Sequence, residues 1–306
     1  MLVRTRAGLI TAMVTLVLTC GSVLLPGTAT AAPTRPSTTA CGSPLSPADM
    51  NRIAALSEVG TPADTVDAWP ALTDHVRRLE EINAILVAHR DRRGLFAVGL
   101  AATERAAVLP LESAAGGLQN PLWARRLSLA LLDRFLDAVH AEFTGTPVAP
   151  HWRRYFDVAA QCDVSGTRAA MLGYNAHITV DLAYAVAYAR TNRGNSDDYF
   201  RLVDSIAAHG DSIVTATKRD YGVDLGPTFR FYFFGEGLDR VVGAGRATGP
   251  MLRAADVGYN VLTFENGLAL QNPTTRPAAI AAIDALWPTG DAAIKAADDL
   301  GITALK

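Results

Sequence analysis

Apolar residues recur every three or four positions along most of the chain, which is the spacing of amphipathic α-helices. The run from Thr73 to about Arg92 shows it well, with Val76, Leu79 and Ile82 on one face. Sustained alternation of period 2 between turn dipeptides is absent from the sequence, so no β-sheet is predicted. The predicted helices cover residues 46–59, 73–92, 95–109, 122–143, 165–189, 196–219, 228–242, 250–270, 277–286 and 291–300.

The ends of these runs carry the signals of helix termini. Ser46 followed by Pro47 and Asp49 has the form of a helix N-cap. The aromatic residues 229–234 are a local exception that could favour a strand, but a lone strand would have no partner. Because no repeat or linker divides the region, the sequence predicts an all-α protein, with a single irregular domain of about 8–10 helices over residues 46–306.

The N-terminus has the layout of a secretory signal peptide. Arg4 and Arg6 precede an apolar run, and Ala29-Thr30-Ala31 offers a small-residue cleavage site. We therefore predict a signal peptide over residues 1–31 and a flexible lead-in rich in Pro, Thr and Ser over residues 32–45. A retained membrane anchor is the alternative, but the apolar run is near the lower length limit for spanning. The predicted localisation is secreted, with no stable membrane anchor.

Composition and charge exclude two classes of protein. Hydrophobic residues make up 49% of the chain and charged residues 19%, which excludes disorder for most of it. The 28 Lys and Arg are balanced by 30 Asp and Glu, so no nucleic-acid partner is predicted. Removal of the two arginines in the signal peptide would take the net charge from −2 to −4.

Two cysteines, Cys41 and Cys162, remain after the predicted cleavage. In an oxidising compartment they most simply form a disulfide with each other, which would hold the N-terminal arm against the core. Two free thiols or a catalytic cysteine are the alternatives. The neighbours of Cys162 are Gln161 and Asp163, and neither supplies the positive charge that activates a thiol.

A polar stripe lies along the predicted helix 165–189. At 100° per residue, Tyr174, His177, Asp181, Tyr184 and Tyr188 fall within an arc of about 80° beside an apolar face. His177 and Asp181 are one turn apart, so the carboxylate could orient the imidazole as a general acid or base. We predict these two as catalytic residues and the three tyrosines as ligand-binding residues.

The same helix leaves other interpretations open. Asn175 is also predicted to bind ligand, although it falls on the apolar side, where packing between helices is the alternative. His177 and Asp181 could instead ligate a divalent metal, with Glu104 as a third ligand. Further candidates for that set are Asp157, His75, His140 and His209. The remaining interpretation is that the His–Asp pair belongs to a buried polar network with a purely structural role.

A second polar patch contains Arg230, Glu236, Asp239 and Arg240 among aromatic residues. Glu236 and Arg240 are four residues apart, which is typical of an ion pair on a helix face. A ligand-binding arginine is the alternative. The sequence contains no G-x-S-x-G, H-E-x-x-H, P-loop or C-x-x-C motif.

The order of several short segments resembles the bacterial family catalogued as domain of unknown function 5995. These segments are Arg78–Ile82, Thr103, Leu132–Phe135, Trp152, Tyr155–Asp157, Asn175–Ile178, Asp181–Leu182 and Asp198–Phe200. The resemblance covers roughly residues 76–213 and implies an all-helical fold, but it carries no activity. Thr179 stands where the family's pattern has Asn, so a hydroxyl replaces the amide at that position.

The function hypothesis is a secreted helical protein with a polar cleft that acts on or binds a small or lipid-like molecule. As an enzyme it would be a hydrolase, with His177 as general base or metal ligand and Asp181 as its partner. The alternative is a non-catalytic extracellular binding or structural protein, in which the His–Asp pair is packing.

Overall fold

The computed structural model describes residues 36–60, 67–226 and 248–299, with side chains in the last range from residue 258 onward. These ranges contain helices and no strand, so the predicted all-α class is confirmed. The helices are α1 Pro47–Ser57, α2 Trp69–Ala88, α3 Leu95–Thr103, α4 Leu109–Ser113, α5 Pro121–Thr144, α6 Pro150–Ala159, α7 Gly166–Asn175, α8 Leu182–Tyr188, α9 Ser196–Ala208, α10 Gly210–Tyr221, α11 Thr248–Leu270 and α12 Arg276–Asp299. The residues in these three ranges belong to one compact unit.

Several predictions fall on residues outside these ranges. They are the signal peptide over 1–31, the helix over 228–242, and the patch formed by Arg230, Glu236, Asp239 and Arg240. Where the chain is described, α1 begins as predicted. The Ser46 hydroxyl accepts a hydrogen bond from the Asp49 amide, the Asp49 carboxylate accepts one from the Ser46 amide, and Pro47 occupies the first turn.

Three helix boundaries differ from the prediction. Residues 150–159 are not among the predicted helices, yet they form α6, which begins at Pro150. The helix predicted over 196–219 is divided because His209 leaves helical geometry at φ −110° and ψ 16°. The two short helices predicted at the C-terminus are one continuous helix, α12, with Pro288 inside it.

Two apolar clusters form most of the core. The first surrounds Phe96 on α3, whose ring lies 4.9 Å from that of Phe135 and 5.0 Å from that of Tyr174. The second packs Tyr199 of α9 against Phe264 of α11, with ring centroids 4.8 Å apart. Helix α3 is apolar on all sides and almost wholly buried, as expected for a central helix.

One stretch of the described chain, Arg92–Ser113, is long and apolar enough to cross a membrane. It contains α3 and α4, and 72% of its most apolar window is buried within the protein. A core helix of a globular domain meets the same criteria of length and composition.

The N-terminal arm is held by a disulfide and by buried charge. The predicted bond between Cys41 and Cys162 is present, with the two Cα atoms 5.2 Å apart. The Arg93 guanidinium donates to Asp91 at 2.7 Å and to the Ser37 carbonyl oxygen at 3.0 Å. Because Arg93 is almost completely buried and paired, the arm belongs to the packed domain from Ser37 onward.

Candidate functional site

A cavity of about 190 Å³ is lined by side chains of both apolar clusters. Phe96, Leu100 and Ile213 contribute from the first cluster, and Leu127 and Leu202 from the second. Its polar lining residues are few, and they are Thr103, Glu104, Ser128, Tyr174, His177, Tyr199 and Asn260. No lysine or arginine is among the described residues that line it. An apolar pocket with a few polar groups is the usual form of a small-molecule site.

Two π-helical segments carry the ionisable groups of this cavity. Glu104 is the first residue of the segment Glu104–Val108, which joins α3 to α4. His177 lies within the segment Ala176–Asp181, which joins α7 to α8. Single π turns inside α-helices are rare and are frequent at functional sites.

Glu104 is buried without a charged partner. Its side chain lines the cavity, and among the described residues its Oε2 atom makes no hydrogen bond. Burial, with a smaller contribution from the charge of Glu112, raises the pKa of Glu104 to about 8. At pH 7 the carboxyl group is therefore mostly protonated and can donate a hydrogen bond.

Glu112, on α4, is a second buried acid. The Ser128 hydroxyl, which lines the cavity, donates to Glu112 Oε1 at 2.6 Å. Burial raises the pKa of Glu112 to about 7, although the Ser128 hydrogen bond and the charge of Arg125 oppose it. The cavity therefore lies beside two carboxyl groups that hold their protons near neutral pH.

His177 faces the same cavity as a neutral imidazole. Its ring centroid is 5.1 Å from that of Phe96, and its Nδ1 atom has no hydrogen-bond partner in the described part of the chain. Burial lowers the pKa of His177 to about 4, against the opposing charge of Asp181. The ring is therefore uncharged at neutral pH.

Asp181 has the opposite environment. Its carboxylate accepts hydrogen bonds from Arg134 Nε at 2.9 Å, His151 Nε2 at 3.1 Å and Trp152 Nε1 at 2.8 Å. Burial alone would raise the pKa of Asp181, but the His151 hydrogen bond and the Arg134 charge outweigh it, so the pKa lies below its usual value. Asp181 thus joins α5 and α6 to the π segment.

The predicted pairing of His177 with Asp181 is not formed as a hydrogen bond in the described residues. Of the other predicted ligand-binding residues, Tyr174 lines the cavity with His177. Tyr184 packs under the Arg134 guanidinium at 4.7 Å, and Tyr188 is 54% exposed. Neither of these two lines the cavity.

The π segment accounts for this separation. The predicted arc assumes a rotation of about 100° per residue throughout. A π turn contains about one residue more than an α turn, so positions after Asp181 are rotated by about 100° relative to those before Ala176. Tyr184 and Tyr188 consequently leave the face that carries Tyr174.

Of the predicted metal ligands, Glu104 and His177 line the same cavity, but they do not form a set of three with Asp181. The described residues contain no group of three or more His, Cys, Asp or Glu that could hold a metal ion. The alternative ligands His75, His140 and His209 are hydrogen-bonded to Asp133, the Ala54 carbonyl and the Ser205 carbonyl. Asp157 pairs with Arg153 on an exposed face of α6.

A family model matches residues 72–242, which is more than half of the chain. The chain belongs to the Family of unknown function (DUF5995). The resemblance drawn from the sequence is thereby confirmed, and Glu104, His177 and Asp181 all lie inside the DUF5995 match. Comparisons with curated proteins and with solved structures gave no match.

Two side chains of the DUF5995 region bind helices beyond its end. Asn175 Nδ2 donates to the Trp287 carbonyl oxygen of α12 at 2.9 Å. The Thr179 hydroxyl donates to Asn175 Oδ1 at 2.8 Å and also contacts the hydroxyl of Tyr259 on α11. Asn175, predicted to bind ligand or pack helices, therefore makes packing contacts here, and Thr179 joins it.

No role was assigned from the sequence to Glu112 or to the three partners of Asp181, although Arg134 and Trp152 lie in the segments that carry the family resemblance. Arg134, His151 and Trp152 are 47, 30 and 29 residues away from Asp181, so helical spacing could not reveal them. Glu112 directly follows the apolar run Ala106–Leu111, and an acid at such a place is usually exposed, so its burial could not be predicted from the sequence.

Proposed function

We propose that this protein binds a small, largely apolar molecule in the cavity, with Glu104 and His177 as its polar contacts. The observation that carries the proposal is an apolar cavity of about 190 Å³ with these two ionisable side chains in its wall. An engineered cavity of about 150 Å³ with apolar walls is large enough to bind benzene.

The apolar wall of the cavity supports a role in binding. Side chains that border unfilled space forgo the close contacts that core side chains make with one another. A ligand that occupied the cavity would supply those contacts.

The cavity reaches the surface near the junction of α9 and α10. Ala207 lines the cavity and is exposed, and Gly210 beside it is half-buried. Ala208, the next residue on α9, is exposed but does not line the cavity. These two alanines offer a matched pair of variants, because both can take a larger side chain at the surface.

The test is a fluorescence titration with N-phenyl-1-naphthylamine, an uncharged probe that brightens in apolar surroundings. We expect saturable binding to the wild-type protein, at least tenfold weaker binding to Ala207→Trp, and unchanged binding to Ala208→Trp. No saturable binding to the wild type, or equal binding to both variants, would contradict the proposal.

A hydrolase is the second candidate, because His177 lines the cavity with an Nδ1 atom that has no hydrogen-bond partner among the described residues and that could accept a proton from a bound nucleophile. The test is hydrolysis of p-nitrophenyl butyrate by the wild type and by His177→Gln. A rate above background that His177→Gln does not reduce would remove His177 from this role. A metal-assisted reaction is not proposed, since the donor groups for it are absent from the described residues.

Secretion is the third part of the proposal. The disulfide between Cys41 and Cys162 supports it, because such bonds persist in oxidising compartments. Sequencing of protein recovered from the culture medium should give Ala32 as the first residue. Recovery only from the cytoplasm, with both thiols free, would argue against it.

A further inference from the structure

Resting on the proposed function, we infer that the cavity selects ligands by charge: it takes an apolar molecule that carries an uncharged oxygen acceptor, such as a ketone or ester, and excludes carboxylates of the same size. The first reason is the absence of a cation in the wall. None of the described lining residues is Lys or Arg, so a bound anion would have no partner of opposite charge.

Three arginines on the elements that line the cavity are engaged elsewhere. Arg134 donates a hydrogen bond to Asp181, and Arg105 forms a bidentate ion pair with Glu80 on the surface. Arg125 donates to the Glu112 carbonyl oxygen and to Asp67. None of the three could turn toward an anion in the cavity without giving up an existing ion pair or hydrogen bond.

The second reason is the pair of acids beside the cavity. Glu104 faces it from the first π segment, and Glu112 lies behind Ser128. At pH 6.5, where both acids are mostly protonated, a carboxylate ligand would lose its hydration in an apolar site without gaining a cation as partner. At higher pH the ionised acids would also repel it.

The third reason is the hydrogen-bonding character of the polar wall. With a pKa of about 8, Glu104 carries a proton at neutral pH and can donate it to a ligand oxygen. The other groups that can face Glu104 from neighbouring elements are Glu112, Ser128, Tyr174, His177 and Tyr199. Of these, Glu112 carries charge above about pH 7, and that charge opposes ionisation of Glu104.

The selectivity should therefore depend on the proton of Glu104. A ketone accepts hydrogen bonds and cannot donate one, so it gains from the protonated acid and loses when the acid ionises. Filling the cavity also removes water from the carboxyl group, which further penalises the charged form. Affinity for a ketone should fall as the pH rises through about 8.

The experiment is displacement of N-phenyl-1-naphthylamine by octan-2-one and by octanoate, at pH 6.5 and pH 9. Neither competitor changes its charge between these values. At pH 6.5 we expect octan-2-one to displace the probe at a concentration at least about tenfold lower than octanoate, and to weaken about tenfold at pH 9. In Glu104→Gln this pH dependence should disappear, and in the exposed control Glu58→Gln it should remain.

Each outcome bears on a different claim. Equal displacement by octanoate at pH 6.5, or ketone binding that does not change with pH in the wild type, would overturn the inference while leaving the binding function intact. Persistence of the pH dependence in Glu104→Gln would overturn the assignment to Glu104. Failure of the probe itself to bind, or to respond to Ala207→Trp, would instead reject the proposed function.

Discussion

Two buried carboxyl groups in this protein have opposite environments. Asp181 ends one π segment and Glu104 begins the other, and both side chains are almost inaccessible to solvent. Burial alone would raise the pKa of Asp181, but the His151 hydrogen bond and the Arg134 charge bring it below its usual value, whereas the pKa of Glu104 is raised to about 8 because nothing offsets burial. Both carboxyl groups are buried, so the difference between their pKa values comes from the partners that Asp181 has and Glu104 lacks.

The comparison separates structure from candidate function. Around Asp181 the fold uses a charge to join three elements, as a buried ion pair does when every donor is matched. Around Glu104 an apolar cavity leaves a carboxyl group uncompensated, which is the arrangement expected where a ligand completes the site. Four substitutions test whether this distinction holds.

Asp181→Ala should have the largest effect. It leaves Arg134, His151 and Trp152 without their shared acceptor, and removal of one partner from a buried charged network costs about 3–5 kcal/mol. Urea denaturation at pH 7 measures this loss. A change below about 1 kcal/mol would show that the network is not needed for stability.

Glu104→Gln should instead increase the stability of the protein at high pH. The raised pKa of Glu104 means that the unfolded chain loses this proton near pH 4.5 and the folded chain only near pH 8, so wild-type stability falls across that window. The variant lacks this loss. The difference between variant and wild type should therefore change by about 4–5 kcal/mol between pH 4 and pH 9. Because the buried amide costs about 1–3 kcal/mol at every pH, the variant should be less stable than wild type by that amount at pH 4 and more stable by about 2–3 kcal/mol at pH 9.

Denaturation curves at pH 4, 6.5 and 9 give this difference, with Glu58→Gln as the control for loss of a surface charge. A constant difference between Glu104→Gln and wild type across the three pH values would contradict the raised pKa.

Arg134→Gln should have an intermediate effect. Its side chain is 35% exposed, and Asp181 keeps its hydrogen bonds to His151 and Trp152 when the guanidinium is removed. We expect a loss of about 1–2 kcal/mol, which includes the contact with the Tyr184 ring. A loss as large as that of Asp181→Ala would mean that the arginine, rather than the whole donor set, stabilises the carboxylate.

Val203→Ile should have the smallest effect, a gain of about 0.5–1 kcal/mol, because Val203 lines the cavity and the added methyl group can enter it. Val186 is the matched control, since it is fully buried in the second cluster and does not line the cavity. Val186→Ile should lose about 1 kcal/mol or more through overpacking. Thermal unfolding of both variants measures these changes in stability. A loss of stability in Val203→Ile as large as that in Val186→Ile would show that the space beside Val203 cannot take the added methyl group.

Most of the fold was predictable from the sequence because apolar residues recur every three or four positions along the long helices. The predictions failed where a local rule gives way to tertiary packing. Pro288 lies inside α12, and the π segment at Ala176–Asp181 rotates Tyr184 away from Tyr174. Neither feature has a signature in spacing alone.

The candidate site was predictable only in part. His177, Tyr174 and Glu104 were identified as residues of interest, and all three line the cavity. The cavity itself could not be predicted, since it depends on how two clusters from distant parts of the chain fail to fill the space between them. The disulfide was predictable because only two cysteines remained to pair.

The hydrogen bonds from Asn175 to α12 and from Thr179 to α11 limit where the chain can be truncated. The region that defines the family ends at residue 242, but these two side chains find their partners at Trp287 and Tyr259. A fragment truncated at residue 242 would leave a buried amide and a hydroxyl open to solvent, beside an uncovered apolar face of α8. The packed unit therefore extends beyond the region matched by the family, and a fragment that ends at residue 242 should be less stable than one that keeps the helices up to residue 299.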